Sequence, residues 1–172
     1  RASSPCGDNR CAMSARSSDL SDASERDAAL DLDVHALVTA PAGSGKTGLL
    51  VQRLLAALAV VEEPEQVVAI TFTNKAAAEI RARVLQALSA AVATPVADDD
   101  ALDAHDLAVR LRARAVLARD EERGWQLLQQ PARLSATTID AFCMQTAAQL
   151  PLLSGLGGTL AICEDARGLY RE

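Results

Sequence analysis

The chain has 172 residues, 49% of them hydrophobic and 23% charged. That balance excludes a wholly disordered chain and fits one globular domain with a real core. A net charge of −6 excludes a uniformly basic nucleic-acid coat, though not a local basic groove, and 2% aromatics are too few for a broad base-stacking surface.

Residues 1 to 20 are rich in Ser, Asp and Arg, show no periodicity and predict a disordered leader. Ser24–Leu30 predicts a short helix. His35–Ala40 is a short apolar strand that runs into the small-residue turn Pro41-Ala-Gly-Ser-Gly-Lys-Thr47. Lys46–Val60 then predicts a helix, with Leu50, Leu54, Leu55 and Leu58 at helical spacing. Glu62-Glu-Pro-Glu65 breaks it. Val67–Thr73, β-branched and apolar, predicts a buried strand, and Asn74 is placed to cap a helix from Lys75 to about Val92 with Ile80, Val84, Leu85 and Leu88 on one face. Residues 94 to 100 form a linker, and 101 to 130 are mostly helical with a break near Gly124. Leu134–Ile139 is a third strand candidate, followed by a helix capped by Asp140, ended by Pro151 and carrying Phe142, Cys143 and Met144. Strands alternating with helices predict an α/β parallel sheet. Thirty-five alanines agree with a high helix content.

Cys6, Cys11, Cys143 and Cys163 lack the spacing of a zinc site and predict free thiols, which suits a cytoplasmic location. The longest apolar run, 48 to 61, contains Gln52 and Arg53 and is shorter than the roughly 20 residues a membrane span needs.

Ala40-Pro41-Ala42-Gly43-Ser44-Gly45-Lys46-Thr47 fits a phosphate-binding turn between strand and helix, with Ala where the pattern usually has its first Gly. Gly43 and Gly45 allow backbone N–H groups to converge, and the next helix adds its positive dipole end. Lys46 can reach β- and γ-phosphates, and the Thr47 hydroxyl can ligate Mg²⁺. Among 17 basic residues only Lys46 and Lys75 are lysines. Both lie after predicted strands, where a compact ammonium is useful. Ligands of open parallel sheets bind beyond the strand C-termini. Phe72, Thr73, Asn74 and Lys75, with Thr137 and Thr138, occupy those positions. They suit a nucleic-acid strand, with phosphates held by the polar groups and a base stacked on Phe72. They equally suit ordinary β-formers, a core Phe72 and a capping Asn74. Arg110, Arg112, Arg114 and Arg119 form a basic cluster that reads first as a solvated helix face and second as a phosphate contact.

Residues 40–47, then Ala69–Val84 with its Thr-Phe-Thr-Asn-Lys-Ala-Ala run, then Ala136–Cys143 resemble helicase motifs I, Ia and Ib of the UvrD/Rep superfamily 1 helicases, more closely the AddA/RecB-like branch. The resemblance covers about Ser24 to Glu172. It implies a RecA-like P-loop NTPase sheet with flanking helices, incomplete here, with 21–172 as the N-terminal part of the ATP-binding domain and a helical insert at about 95–130. It implies a DNA-repair or recombination motor that uses ATP and Mg²⁺ and moves 3′ to 5′ on single-stranded DNA. Lys46 and Thr47 would be catalytic, 40–47 would hold the nucleotide, and Phe72, Thr73, Asn74, Lys75, Thr137, Thr138 and Phe142 would meet DNA. A nuclease domain or partner subunit would belong to the whole protein. Glu25 stands where the family usually has an adenine-reading glutamine, and Asp140 where it more commonly has histidine.

ATP hydrolysis also needs an acidic pair and arginines from a second lobe. Leu160–Asp165 resembles the acidic strand only superficially, because no Gln follows closely. The expectation is a helicase fragment with a nucleotide half-site, inactive by itself. The alternatives are another P-loop phosphotransferase or a non-catalytic nucleotide- or DNA-binding remnant.

Overall fold

The structure, a computed structural model, describes residues 23–41, 43–94 and 102–149. Its elements are α1 (Ala23–Leu30), α2 (Lys46–Leu58), β1 (Val68–Thr71), α3 (Asn74–Ala93), α4 (Ala104–Arg123), β2 (Ser135–Thr138) and α5 (Ile139–Gln149). Short 3₁₀ turns at Pro64–Gln66 and Pro131–Arg133 lead into the two strands. The predicted leader, Ala42, the Pro151 stop, residues 160–165, and Cys6, Cys11 and Cys163 lie outside the described residues. Cys143 is an exposed free thiol. No helix among the described residues is long and apolar enough to cross a membrane.

β1 and β2 pair in parallel, from Val68↔Ser135 to Thr71↔Thr138. This is a partial α/β arrangement of two strands. The predicted strand His35–Ala40 is not one: the segment has no ladder partner among the described residues, and Leu37 is 95% exposed. Apolar composition suits a strand, but a strand exists only where a neighbour accepts and donates along it.

The core gathers Leu55 and Leu58 of α2, Val84 and Leu88 of α3, and Ala113 and Val116 of α4 around Trp125 and Leu127. Trp125 Nε1 donates to the Glu62 carbonyl at 3.1 Å, so the indole is buried without an orphaned donor. Where α3 meets the sheet the contact is made by Ile80 with Ala69, Ala77 and Ala136, three alanines that let helix and strands approach closely. The face of α2 is rotated from its predicted position. Leu50 is exposed, whereas Val51 and Gln52 are buried. The Gln52 amide lies 3.0 Å from His105 Nδ1 on α4, which satisfies the buried polar group.

Two helix starts differ from the prediction in the same way. Thr73, not Asn74, caps α3, its hydroxyl accepting from Ala76 N–H at 3.1 Å. Thr138, not Asp140, does the same for α5, accepting from Ala141 N–H at 3.2 Å. Asp140 lies in the first turn, where its charge meets the positive helix end. The predicted break is at Gly124, whose φ of 66° ends α4.

Arginines make most of the ties between elements. Arg53 on α2 donates to the carbonyls of Ala29, Asp31 and Val34, closing the C-terminal end of α1. Arg81 on α3 reaches the carbonyls of Leu134 and Ala136. Arg133 joins both strand entries, bonding Glu65 at 2.7 Å, Glu63 at 2.8 Å and the Trp125 carbonyl at 3.3 Å.

The Arg133 guanidinium holds the Glu65 carboxyl below its ordinary value of 4.5. A carboxylate depressed in the folded state contributes stability above its unfolded value and loses it as pH falls through the folded value. Arg133→Ala should therefore lower the melting temperature at pH 7. The gap from the parent should narrow as pH is taken below the ordinary carboxylate range, as followed by circular dichroism melts. A gap independent of pH would mean that the ion pair with Glu65 adds nothing.

Candidate functional site

The turn that leads into α2 has the backbone shape the sequence predicts, but no paired strand precedes it among the described residues. Gly43 and Gly45 both lie at φ 82°, in the left-handed region that glycine enters without strain. Gly45 is the N-cap of α2, and its carbonyl accepts from Leu49 N–H at 3.1 Å. Ser44 N–H turns back to the Pro41 carbonyl at 3.4 Å. The turn therefore delivers Lys46 and Thr47 as the first two residues of a thirteen-residue helix, where unpaired N–H groups and the positive dipole end favour an anion. Lys46 Nζ donates to the carbonyls of Ala40 and Pro41, so the ammonium is folded over the turn that a phosphate would enter. The Ser44 hydroxyl is buried and has no hydrogen-bond partner among the described residues.

Beside this turn is a recess of about 460 Å³ between α1, residues 34–40 and the start of α2. Glu25, Arg26, Leu37, Val38, Lys46 and Leu49 are among its walls. Glu25, singled out from the sequence, lines it. Its neighbour Arg26 does more: Nη2 donates to the Ser44 carbonyl at 3.1 Å. Sequence reasoning missed this residue. The only available signal was its place one residue, about 100° of helix, from Glu25.

The second predicted group comes together as expected. Parallel pairing sets Thr71 beside Thr138 and puts both strand C-termini on one side. Thr71 Oγ1 donates to the Thr73 carbonyl at 2.9 Å and lies 3.4 Å from the Thr137 carbonyl, stitching the two ends. Thr73 and Thr138 use their hydroxyl oxygens as caps, which leaves each O–H able to donate outward. Phe72 is 97% exposed, which removes the core reading for it. Asn74 and Lys75 are exposed beside it, and Phe142 on α5 is partly exposed. The turn and the strand ends are connected through α2, whose Leu54 packs on the Ala69–Ala77–Ile80–Ala136 cluster.

Three of the four clustered arginines are engaged within the fold. Arg112 bonds the Ala108 carbonyl of its own helix, Arg114 the Thr94 carbonyl, and Arg119 the Val61 carbonyl and Glu122. Arg114 and Arg119 tie α4 to the ends of α3 and α2.

The two candidate caps make opposite predictions. Thr73→Ala should destabilise the fold by about 0.5–2 kcal/mol, and Asn74→Ala by less than about 0.5 kcal/mol, in urea titrations followed by circular dichroism. The reverse order would restore Asn74 as the cap.

The UvrD/REP helicase N-terminal domain matches residues 21–165. An ATP-dependent helicase/nuclease subunit from Desulfitobacterium hafniense is 36% identical over 145 residues, 81% of this chain and 9% of that protein. The protein of the same description from Exiguobacterium sibiricum is 33% identical over 141 residues, 80% of this chain and 10% of its own. In Desulforamulus reducens the identity rises to 46% over 63 residues, 35% of this chain and 5% of that one. The chain spans about a tenth or less of the length of these relatives. No solved structure matches it.

Proposed function

The chain belongs to the UvrD/REP helicase N-terminal domain family, and on that footing we propose that it forms the nucleotide half-site and part of the single-strand track of an ATP-dependent DNA helicase of repair or recombination. The observation that carries this is the turn at residues 40–47. Two left-handed glycines deliver one lysine and one threonine to the start of α2, an arrangement suited to a polyphosphate.

In this reading N–H groups of 43–47 receive the phosphates of ATP. Lys46 exchanges the Ala40 and Pro41 carbonyls for β- and γ-phosphate oxygens. The exchange trades one set of oxygen acceptors for a more strongly charged set. Among the described residues no group of three or more His, Cys, Asp or Glu could cage a metal. A Mg²⁺ would be held by the Thr47 hydroxyl together with the nucleotide's own oxygens. The ion would supply charge neutralisation across the phosphates.

The strand ends supply the second function. Exposed Phe72 can stack on a base without reading its identity, while Lys75, Asn74 and the O–H donors of Thr73 and Thr138 can meet the backbone. Thr137 and Phe142 border the same surface. Travel 3′ to 5′ and a nuclease domain or partner subunit in the whole protein are further parts of this proposal. The last is supported by the helicase/nuclease description of the relatives. Binding, not turnover, is assigned to the residues described here. A phosphotransferase acting without DNA is the competing reading; it gives Phe72 no task.

Lys46→Ala should abolish Mg-ATP binding measured by isothermal titration calorimetry. Unchanged binding would remove residues 40–47 as the phosphate site. For the track, Phe72→Ala should reduce photocrosslinking to a single-stranded oligonucleotide several-fold while Mg-ATP binding is kept. A parent chain that fails to crosslink would exclude the track.

A further inference from the structure

The peptide groups on either side of Ser44 adjoin Gly43 and Gly45, residues that pass between left- and right-handed backbone at little cost. A phosphate site needs those groups held one way round. In a trans peptide the carbonyl oxygen and the following N–H point in opposite directions, and no cis bond occurs among the described residues. Whatever holds the Ser44 carbonyl therefore aims the Gly45 N–H. Rotating that peptide by half a turn would present an oxygen to the anion and withdraw a donor.

Arg26 is the group that holds it. Nη2 donates to the Ser44 carbonyl at 3.1 Å, and Nη1 lies 3.7 Å from the place a Cβ on Gly45 would take. The guanidinium thus covers the carbonyl side of the Ser44–Gly45 peptide, and the Gly45 N–H faces away from α1. Arg26 is itself kept in place. Arg53 grips the carbonyls of Ala29, Asp31 and Val34, so the helix carrying Arg26 is tied to the helix the turn begins. Within the same turn the Ser44 hydroxyl is buried and unpartnered among the described residues.

We propose that Arg26 is a positioning residue for the phosphate turn, holding the Ser44 carbonyl so that the Gly45 N–H is presented to a polyphosphate. The proposal rests on the reading of residues 40–47 as a phosphate site. It goes further in assigning part of the polyphosphate affinity to a side chain on α1 that acts through the backbone and not on the base.

The test uses the whole chain, with Mg-ATP and Mg-tripolyphosphate as probes in isothermal titration calorimetry. Arg26→Met keeps the stem and removes the donors. It should weaken both probes by the same factor, about tenfold, which is the scale of one hydrogen bond. The loss should persist at about 0.5 M salt, where exposed charge is screened. Arg26→Lys, which keeps a donor, should recover part of the loss, and this recovery carries the test if the Met variant loses its helical circular dichroism. A loss confined to Mg-ATP would place Arg26 on the base or sugar and overturn the proposal. A loss that disappears in high salt would make it a simple charge and overturn it too. Unchanged binding in Arg26→Met, with binding abolished in Lys46→Ala, would overturn the role of Arg26 and leave the phosphate site standing. A parent that binds neither probe would overturn both.

Discussion

The arginine-to-carbonyl hydrogen bond is the interaction on which this molecule is assembled. Helix ends and irregular turns leave carbonyl oxygens without partners, and five helices with two short strands among the described residues have many such ends. Arg53, Arg81, Arg114, Arg119 and Arg133 each reach from their own element to a carbonyl outside it. The planar fork can serve two or three oxygens at fixed angles, which an ammonium on a flexible stem does less well. This explains why arginine supplies nearly all of the positive charge. The two lysines fall instead at the turn and at the first strand end, where a movable point charge is of use.

The same interaction connects architecture to chemistry. The fork of Arg53 fixes α1 against α2, and Arg26 on α1 returns to the turn that opens α2. The turn is thus braced from outside by a helix that precedes it in sequence. Its two glycines supply the shape, and the brace supplies the persistence. At the strand ends the division of labour is different. There Thr71, Thr73 and Thr138 hold the backbone with their own hydroxyls, and the exposed Phe72 is left to face outward.

Much of this was legible from residue types alone. The glycine turn, the helix it starts, the strands around Ala69 and Ala136 and the stop at Gly124 follow from local chemistry. The segment 35–40 was not legible, because its apolar residues fit a strand but pairing is decided by distant chain. The caps were displaced by one and two residues because Thr, Asn and Asp are all good caps and sequence does not say where the backbone turns. The buried side of α2 was misplaced because Leu50 and Val51 are equally apolar, and only the Gln52–His105 pair shows which side is inward. Arg26 was invisible for a related reason. A carbonyl has no sequence signature, so a side chain whose partner is backbone leaves no pattern to find.

Pairing β1 with β2 has a kinetic side. Val68 meets Ser135 across some 67 positions, so the sheet is a late, non-local contact whose loop must close before any ladder bond is gained. The helices between, α3 and α4, are long and rich in local contacts, and their packing brings the two ends near each other. During synthesis β1 emerges well before β2, so its backbone groups cannot form this ladder until β2 is made.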